Sequence, residues 1–218
     1  MHRRRLVPLL LAAALVASVA GWRVGFAASL PLSSGHLWSG TQSLAKGTCT
    51  LSGRGETTDA WVDRSSPGSS NGGATLEVQR RNRRDRWAFV RFDLSSCGIP
   101  TSGGADSATL TLTMSGAPGR SRTLTLAPVL SSWGTALTWT QAQSLSYGAP
   151  TTTFATGTSS GASFDLTVTA LVDAAIKSPG SSFGWRIDDA GGSSSRSALA
   201  FDSSSGGSPP TLTIRWER

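Results

Sequence analysis

Trp87-Ala88-Phe89-Val90-Arg91-Phe92-Asp93-Leu94-Ser95-Ser96-Cys97 decides how this chain folds. Ala88, Val90, Phe92 and Leu94 alternate with Trp87, Phe89, Arg91 and Asp93. One face is therefore wholly apolar and the other mixes aromatic rings with charge, the period of two that marks a strand. Gly98 and Pro100 stop it. A central strand of a two-layer β protein reads this way, with Arg91 and Asp93 as a polar pair in search of partners.

Working outward, further short stretches repeat the alternation. Residues 57–63 set Ala60 and Val62 against Asp59, Trp61 and Asp63, and residues 75–79 align Leu76 with Val78. The arginine-rich run 80–86 between them and the opening strand predicts a solvated hairpin tip. Residues 107–114 place Ala108, Leu110, Leu112 and Met114 on one face, and residues 122–129 repeat this with Leu124 and Leu126. The Gly116-Ala117-Pro118-Gly119 turn predicts that these two form a hairpin. Residues 163–169, 183–187, 198–202 and 211–216 complete the strands, a weak segment lies near Phe154, and residues 171–176 predict one helical turn before Pro179. Many short strands joined by Gly, Ser and Pro turns, without a sustained helical period, predict one all-β domain over 57–218. Its expected architecture is an antiparallel β-sandwich, jelly-roll-like.

Before it, Met1-His2-Arg3-Arg4-Arg5 and the apolar run Leu6 to Ala20 have the pattern of a secretory signal peptide, residues 1–27. Small residues permit cleavage after Ala20 or after Ala27. The alternative, an uncleaved anchor, is opposed by Arg23 and by a run shorter than the roughly 20 residues of a bilayer span. No stable transmembrane anchor is expected, and the destination is secretion or the cell surface. Residues 28–56 read as a leader arm without sustained period. Arg3, Arg4, Arg5 and Arg23 account for four of the formal net charge of +7, leaving +3 on the exported chain. A mildly basic exported domain is not expected to bind nucleic acid.

Cys49 and Cys97 are the only cysteines. In an exported chain such a pair predicts one disulfide, whereas a zinc site would lack ligands. No metal site is expected: calcium would suit the carboxylates, but no calcium-loop motif is present, and no cofactor is called for.

Catalytic chemistry finds little support. A G-x-S-x-G pattern occurs at 68–72, 157–161 and 180–184, but a serine hydrolase needs a strand-to-helix elbow and a downstream histidine, and the only histidine beyond the signal peptide, His36, lies upstream. A small carboxylate-dependent glycosidase or lyase needs two suitably spaced acids, and most of the candidates, Asp59, Asp63, Asp93, Asp188, Asp189 and Asp202, fall at strand ends or turns. Asp93, Arg91, Asp59 and Asp63 predict a structural ion network instead. The chain is read as not an enzyme.

Eight tryptophans, seven of them beyond residue 27, supply the positive clue. Trp61, Trp87, Trp133, Trp139 and Tyr147 are candidate stacking residues for apolar sugar faces, and Arg91 is a candidate hydroxyl partner. The competing expectation is that both sheet faces are covered and the rings are buried. The basic tip at 80–86 is a candidate for anionic polymers.

Thr58-Asp59-Ala60-Trp61-Val62-Asp63, Leu76-Glu77-Val78, Phe89-Val90-Arg91-Phe92-Asp93-Leu94-Ser95, Ser107-Ala108-Thr109-Leu110-Thr111-Leu112 and Pro210-Thr211-Leu212-Thr213-Ile214 are similar to the DNRLRE-type domains of secreted bacterial proteins. The Trp133 and Trp139 pair matches the same pattern, while Trp61 stands at a position usually closer to tyrosine. The resemblance implies a jelly-roll fold like that of carbohydrate-binding modules and implies no sugar specificity. The expectation is a secreted, non-catalytic domain binding a polysaccharide or cell-envelope glycan. The alternative is a structural surface or matrix protein that self-associates.

Overall fold

The computed structural model of the chain describes residues 46–191 and 197–217. The expected signal peptide, the leader arm as far as residue 45, and His36 lie outside the described residues. In chain order the strands are β1 (Lys46–Ser52), β2 (Thr57–Asp63), β3 (Thr75–Val78), β4 (Arg86–Phe92), β5 (Gly104–Thr113), β6 (Thr123–Pro128), β7 (Thr152–Ala155), β8 (Ser163–Thr167), β9 (Trp185–Asp189), β10 (Leu199–Asp202) and β11 (Thr211–Glu217). Helix α1 (Trp139–Ser144) precedes β7 and helix α2 (Thr169–Lys177) follows β8.

Alternation builds two antiparallel sheets that face each other, a β-sandwich. One has the order β1-β11-β5-β8, the other β2-β4-β9-β6-β7, and β3 pairs with β10 beside them. The opening stretch supplies β4, which is central: Ala88 and Val90 stand opposite Trp61 and Asp59 of β2, and opposite Ile187 and Trp185 of β9. Its inward residues Ala88, Val90 and Phe92 meet Leu124, Leu126 and Ile187 from their own sheet and Leu110, Leu112, Leu212 and Ile214 from the other. Each of these Val, Leu, Ile and Phe side chains stabilises the fold by about 1.5–3 kcal/mol when fully buried. Leu76, Val78, Leu199 and Phe201 extend this core under the β3–β10 pair, and the Phe154 and Phe164 rings, 5.3 Å apart, close the side where β7 meets β8.

Three outcomes among the strands differ from expectation. The strand stops at Phe92: Asp93 accepts from the Ser95 N–H and hydroxyl at 3.0 and 2.6 Å and caps a 3-10 turn, Leu94–Cys97, ending at Gly98 with φ of 62°. β5 and β6 do not form a hairpin. β5 lies between β11 and β8, and β6 between β9 and β7 in the opposite sheet, so the intervening turn crosses the sandwich. Both strands still point their apolar faces at one core, which is all that alternation encodes. Lastly, residues 46–52 of the leader arm are a regular strand paired with β11, from Lys46 opposite Glu217 to Ser52 opposite Thr211.

Cys49 of β1 is joined to Cys97 of the 3-10 turn, with Cα atoms 5.6 Å apart, so the disulfide ties the edge of one sheet to the end of β4. Helix α2 is longer than the single turn expected. Val172 and Ile176, four apart, share its buried face, the Ala108 N–H donates to Thr169 Oγ1 at 2.9 Å, and the Ala105 N–H donates to Asp173 Oδ1 at 3.2 Å. Among the described residues, no helix is long and apolar enough to cross a membrane.

Candidate functional site

The outer face of the five-stranded sheet carries a second, aromatic core. Ala60, Val62 and Phe89 are covered there by Val129, Trp133, Leu137, Trp139 and Ala142, with Trp87, Tyr147 and Phe183 at its margin. The covering layer is the segment between β6 and β7. A capping box builds its helix: the Gln141 N–H donates to Thr138 Oγ1 at 3.3 Å, and the Thr138 N–H donates back to Gln141 Oε1 at 2.9 Å. The Trp133 Nε1–H donates to the Phe183 carbonyl at 2.6 Å, and the Tyr147 hydroxyl donates to the Ala142 carbonyl at 2.5 Å, which pins the layer down.

The candidate residues separate accordingly. Trp133 and Trp139 are 6% and 4% exposed and serve as lid and filling of this second core. Trp87 is half-buried against Trp139 with centroids 4.3 Å apart, and Tyr147 meets the Trp87 ring edge-on at 6.4 Å. Arg91 lies 5.4 Å over the Trp133 ring and donates to Thr58 Oγ1 at 3.4 Å. Trp61 is elsewhere. Val62 stands opposite Trp87 while Trp61 stands opposite Ala88, so Trp61 and Trp87 project from opposite faces of the sheet and cannot line one groove. Trp61 packs on the inter-sheet core under Arg86, whose guanidinium is 5.1 Å from the ring.

The expected network of Arg91, Asp93, Asp59 and Asp63 is not formed as one unit. Asp63 pairs with Arg86 at 2.9 Å, Asp59 accepts from the Ser204 N–H, and Asp93 caps the 3-10 turn. Burial would raise the Asp63 carboxyl, but hydrogen bonds from Ser65 and the charge of Arg86 hold it below the usual range. Burial pushes the Asp59 carboxyl up. The basic tip is a turn as expected, closed where Gln79 and Arg86 exchange backbone hydrogen bonds of 3.0 and 2.8 Å, and Arg64 pairs with Asp85 at 3.0 Å.

The residue that organises the open part of this face is Arg186 of β9, which no motif singled out. Its guanidinium carbon lies 4.6 Å from the Trp87 ring centre and 4.3 Å from that of Tyr147, and Asp188 is at 3.5 Å. Its Nε is buried without a hydrogen-bond partner. Burial holds the Asp188 carboxyl above the usual range despite the opposing charges of Arg186 and Arg80. Asp188 stands opposite Thr125 of β6, which stands opposite Thr153 of β7. Laterally paired residues share a face, so a polar row runs from the Trp87, Tyr147 and Arg186 cluster to the sheet edge. At the usual spacing between strands it extends about 10 Å. A signal for Arg186 was present: Arg186 and Asp188 alternate with the buried Trp185 and Ile187. Sequence does not state that β9 neighbours β4.

Among the described residues there is no histidine and no group of three or more His, Cys, Asp or Glu side chains placed to hold a metal ion. The chain matches no protein-family model, and none of the curated proteins searched matches it.

Proposed function

We propose that the chain is a non-catalytic binding domain, secreted or held at the cell surface, that takes a polysaccharide or cell-envelope glycan on the outer face of the five-stranded sheet. The observation that carries this reading is the Arg186 guanidinium held between the half-buried Trp87 and Tyr147 rings with Asp188 at its side. The rings offer apolar surface to a sugar face. The Arg186 and Asp188 pair offers donors and acceptors fixed in direction, so hydroxyls are met at little ordering cost. Thr125 and Thr153 continue the polar row across two more strands, enough for about two sugar units at that strand spacing.

Affinity electrophoresis of the full chain through gels containing a β-glucan, a xylan, a mannan or a uronate polymer tests the reading. Retardation in at least one gel, abolished by Arg186→Ala, is the expected result. Unretarded migration in every gel, with concentration-dependent oligomers in solution, would favour self-association. Export is tested separately by sequencing the N-terminus of the protein recovered from the medium, expected to begin at residue 21 or 28.

A further inference from the structure

The aromatic face has a charged margin. Gln79 and Arg86 exchange the backbone hydrogen bonds that close the arginine-rich turn, and Trp87, the next residue of β4, already belongs to the aromatic cluster. Ile187 stands opposite Ala88, so Asp188 of β9 lies level with Trp87, one step from the turn, and the charge of Arg80 acts on its carboxyl. The turn therefore adjoins the Trp87, Tyr147 and Arg186 cluster.

Six arginines, Arg64, Arg80, Arg81, Arg83, Arg84 and Arg86, meet three acids here, Asp63, Glu77 and Asp85. The excess of three equals the net charge of the whole chain beyond residue 27, so the remainder is balanced and the surplus sits in one place. Pairing occupies the acids. Asp63 and Glu77 both take Arg86, while Asp85 takes Arg64 at 3.0 Å and the Arg81 N–H at 3.0 Å. Among the described residues, Arg81, Arg83 and Arg84 are in no ion pair, with Arg83 and Arg84 exposed and Arg81 half-buried.

Arg83 adds an independent sign. With φ of 61° it is the only non-glycine residue at positive φ among the described residues, in a conformation that glycine or asparagine adopts with less strain. An arginine held there against local preference points to a use for its charge. The outer face leans the same way, with Arg91 and Arg186 on it and Asp188 as counter-charge. Neutral hydroxyls do not call for such a margin, whereas an oxyanion takes two parallel N–H bonds from a guanidinium fork.

We infer that the glycan of the outer face is anionic, a polymer with a carboxylate or a phosphodiester in its repeat, and that Arg81, Arg83 and Arg84 hold its charge where it passes beyond the Trp87 and Tyr147 rings. The inference rests on the outer face being the glycan site.

The test measures binding of the full chain, at stepped salt, to immobilised polygalacturonate, to the same polymer fully methyl-esterified, to poly(glycerol phosphate) and to dextran. At low salt one of the two charged polymers should bind at least about tenfold more tightly than either uncharged one, with affinity falling as salt rises. Which charged polymer is preferred tells a carboxylate from a phosphodiester. Arg83→Asn combined with Arg84→Gln keeps a residue suited to positive φ and should weaken that binding about fivefold or more, with a shallower salt dependence. Arg215→Gln, at an exposed position of the other sheet, should bind as the wild type does. Equal or tighter binding to the uncharged polymers, no binding to either charged one, or wild-type affinity in the double variant would overturn the inference and leave the outer face as a site for neutral glycans. An equal loss in Arg215→Gln would overturn it too, as attraction by net charge alone. Loss in the double variant with wild-type affinity in Arg186→Ala would overturn the outer-face reading along with it.

Discussion

Arg186 holds its guanidinium 4.6 Å from the centre of the Trp87 ring, across the pairing of β9 with β4. Through that contact a strand with no recognisable motif becomes part of the aromatic face that the opening stretch of sequence announces. A cation over an aromatic ring contributes about 0.5–2 kcal/mol, more as water is excluded. Arg186→Ala should lower the unfolding free energy by about 1–2 kcal/mol on that basis. Arg186→Lys should recover only part, since an ammonium cannot lie flat between two rings. Urea titration followed by tryptophan emission measures both, and equal stability of all three proteins would remove the contact from the account.

Asp188 makes the stability of the fold depend on pH in a defined sense. Burial raises its native pKa, so the folded chain keeps a proton that the unfolded chain has released. The stabilisation from this group is complete below the unfolded value, about 4, and is lost as pH rises through the raised native value. Asp59, raised by burial, acts in the same sense, while Asp63 and Asp93, both lowered, act in the opposite one. The stability of the wild type relative to Asp188→Asn should therefore fall as pH rises above the unfolded carboxyl's value of about 4. Urea midpoints at stepped pH report it, and a difference independent of pH would contradict it.

The disulfide closes a loop between positions 48 residues apart. Replacing both cysteines by alanine should lower stability by about 3–4 kcal/mol, with no change in glycan binding, because the bridge lies at the end of β4 away from Arg186. Chemical denaturation of the double variant beside the oxidised wild type checks this. A loss under about 1 kcal/mol would mean that the unfolded chain gains little freedom from reduction.

Gly184 tolerates no side chain. Its positive φ and the Val90 carbonyl oxygen both oppose a Cβ. Gly184→Ala should cost about 2 kcal/mol or more by adding backbone strain to overlap. Hydrogen exchange should then quicken at Val129, whose N–H donates to the Gly184 carbonyl at 2.9 Å. Unchanged exchange at Val129 would show that the two strands part without consequence.

The inward faces were legible because alternation reports them directly: Ala88, Val90 and Phe92, Leu110 and Leu112, Leu212 and Ile214 all lie in the inter-sheet core. What alternation leaves open is which strand lies beside which. That gap produced the expected β5–β6 hairpin, hid β1 in an apparently irregular arm, and left Arg186 unconnected with Trp87. Helix α1 was legible in principle, since Thr138 and Gln141 stand at capping-box spacing, but six residues hold too little periodicity to declare a helix. The burial of Trp133 and Trp139 was not legible, because a covering loop carries no period of its own.

The central proposal is that the outer face of the five-stranded sheet is a sugar site. A glycan array probed with the full chain, and in parallel with Arg186→Ala and with Trp61→Ala, tests it most directly. The predicted result is binding to a set of related glycans, lost in Arg186→Ala and retained in Trp61→Ala, whose ring lies on the opposite face. Binding lost only in Trp61→Ala, or no binding by the wild type to any glycan, would contradict it.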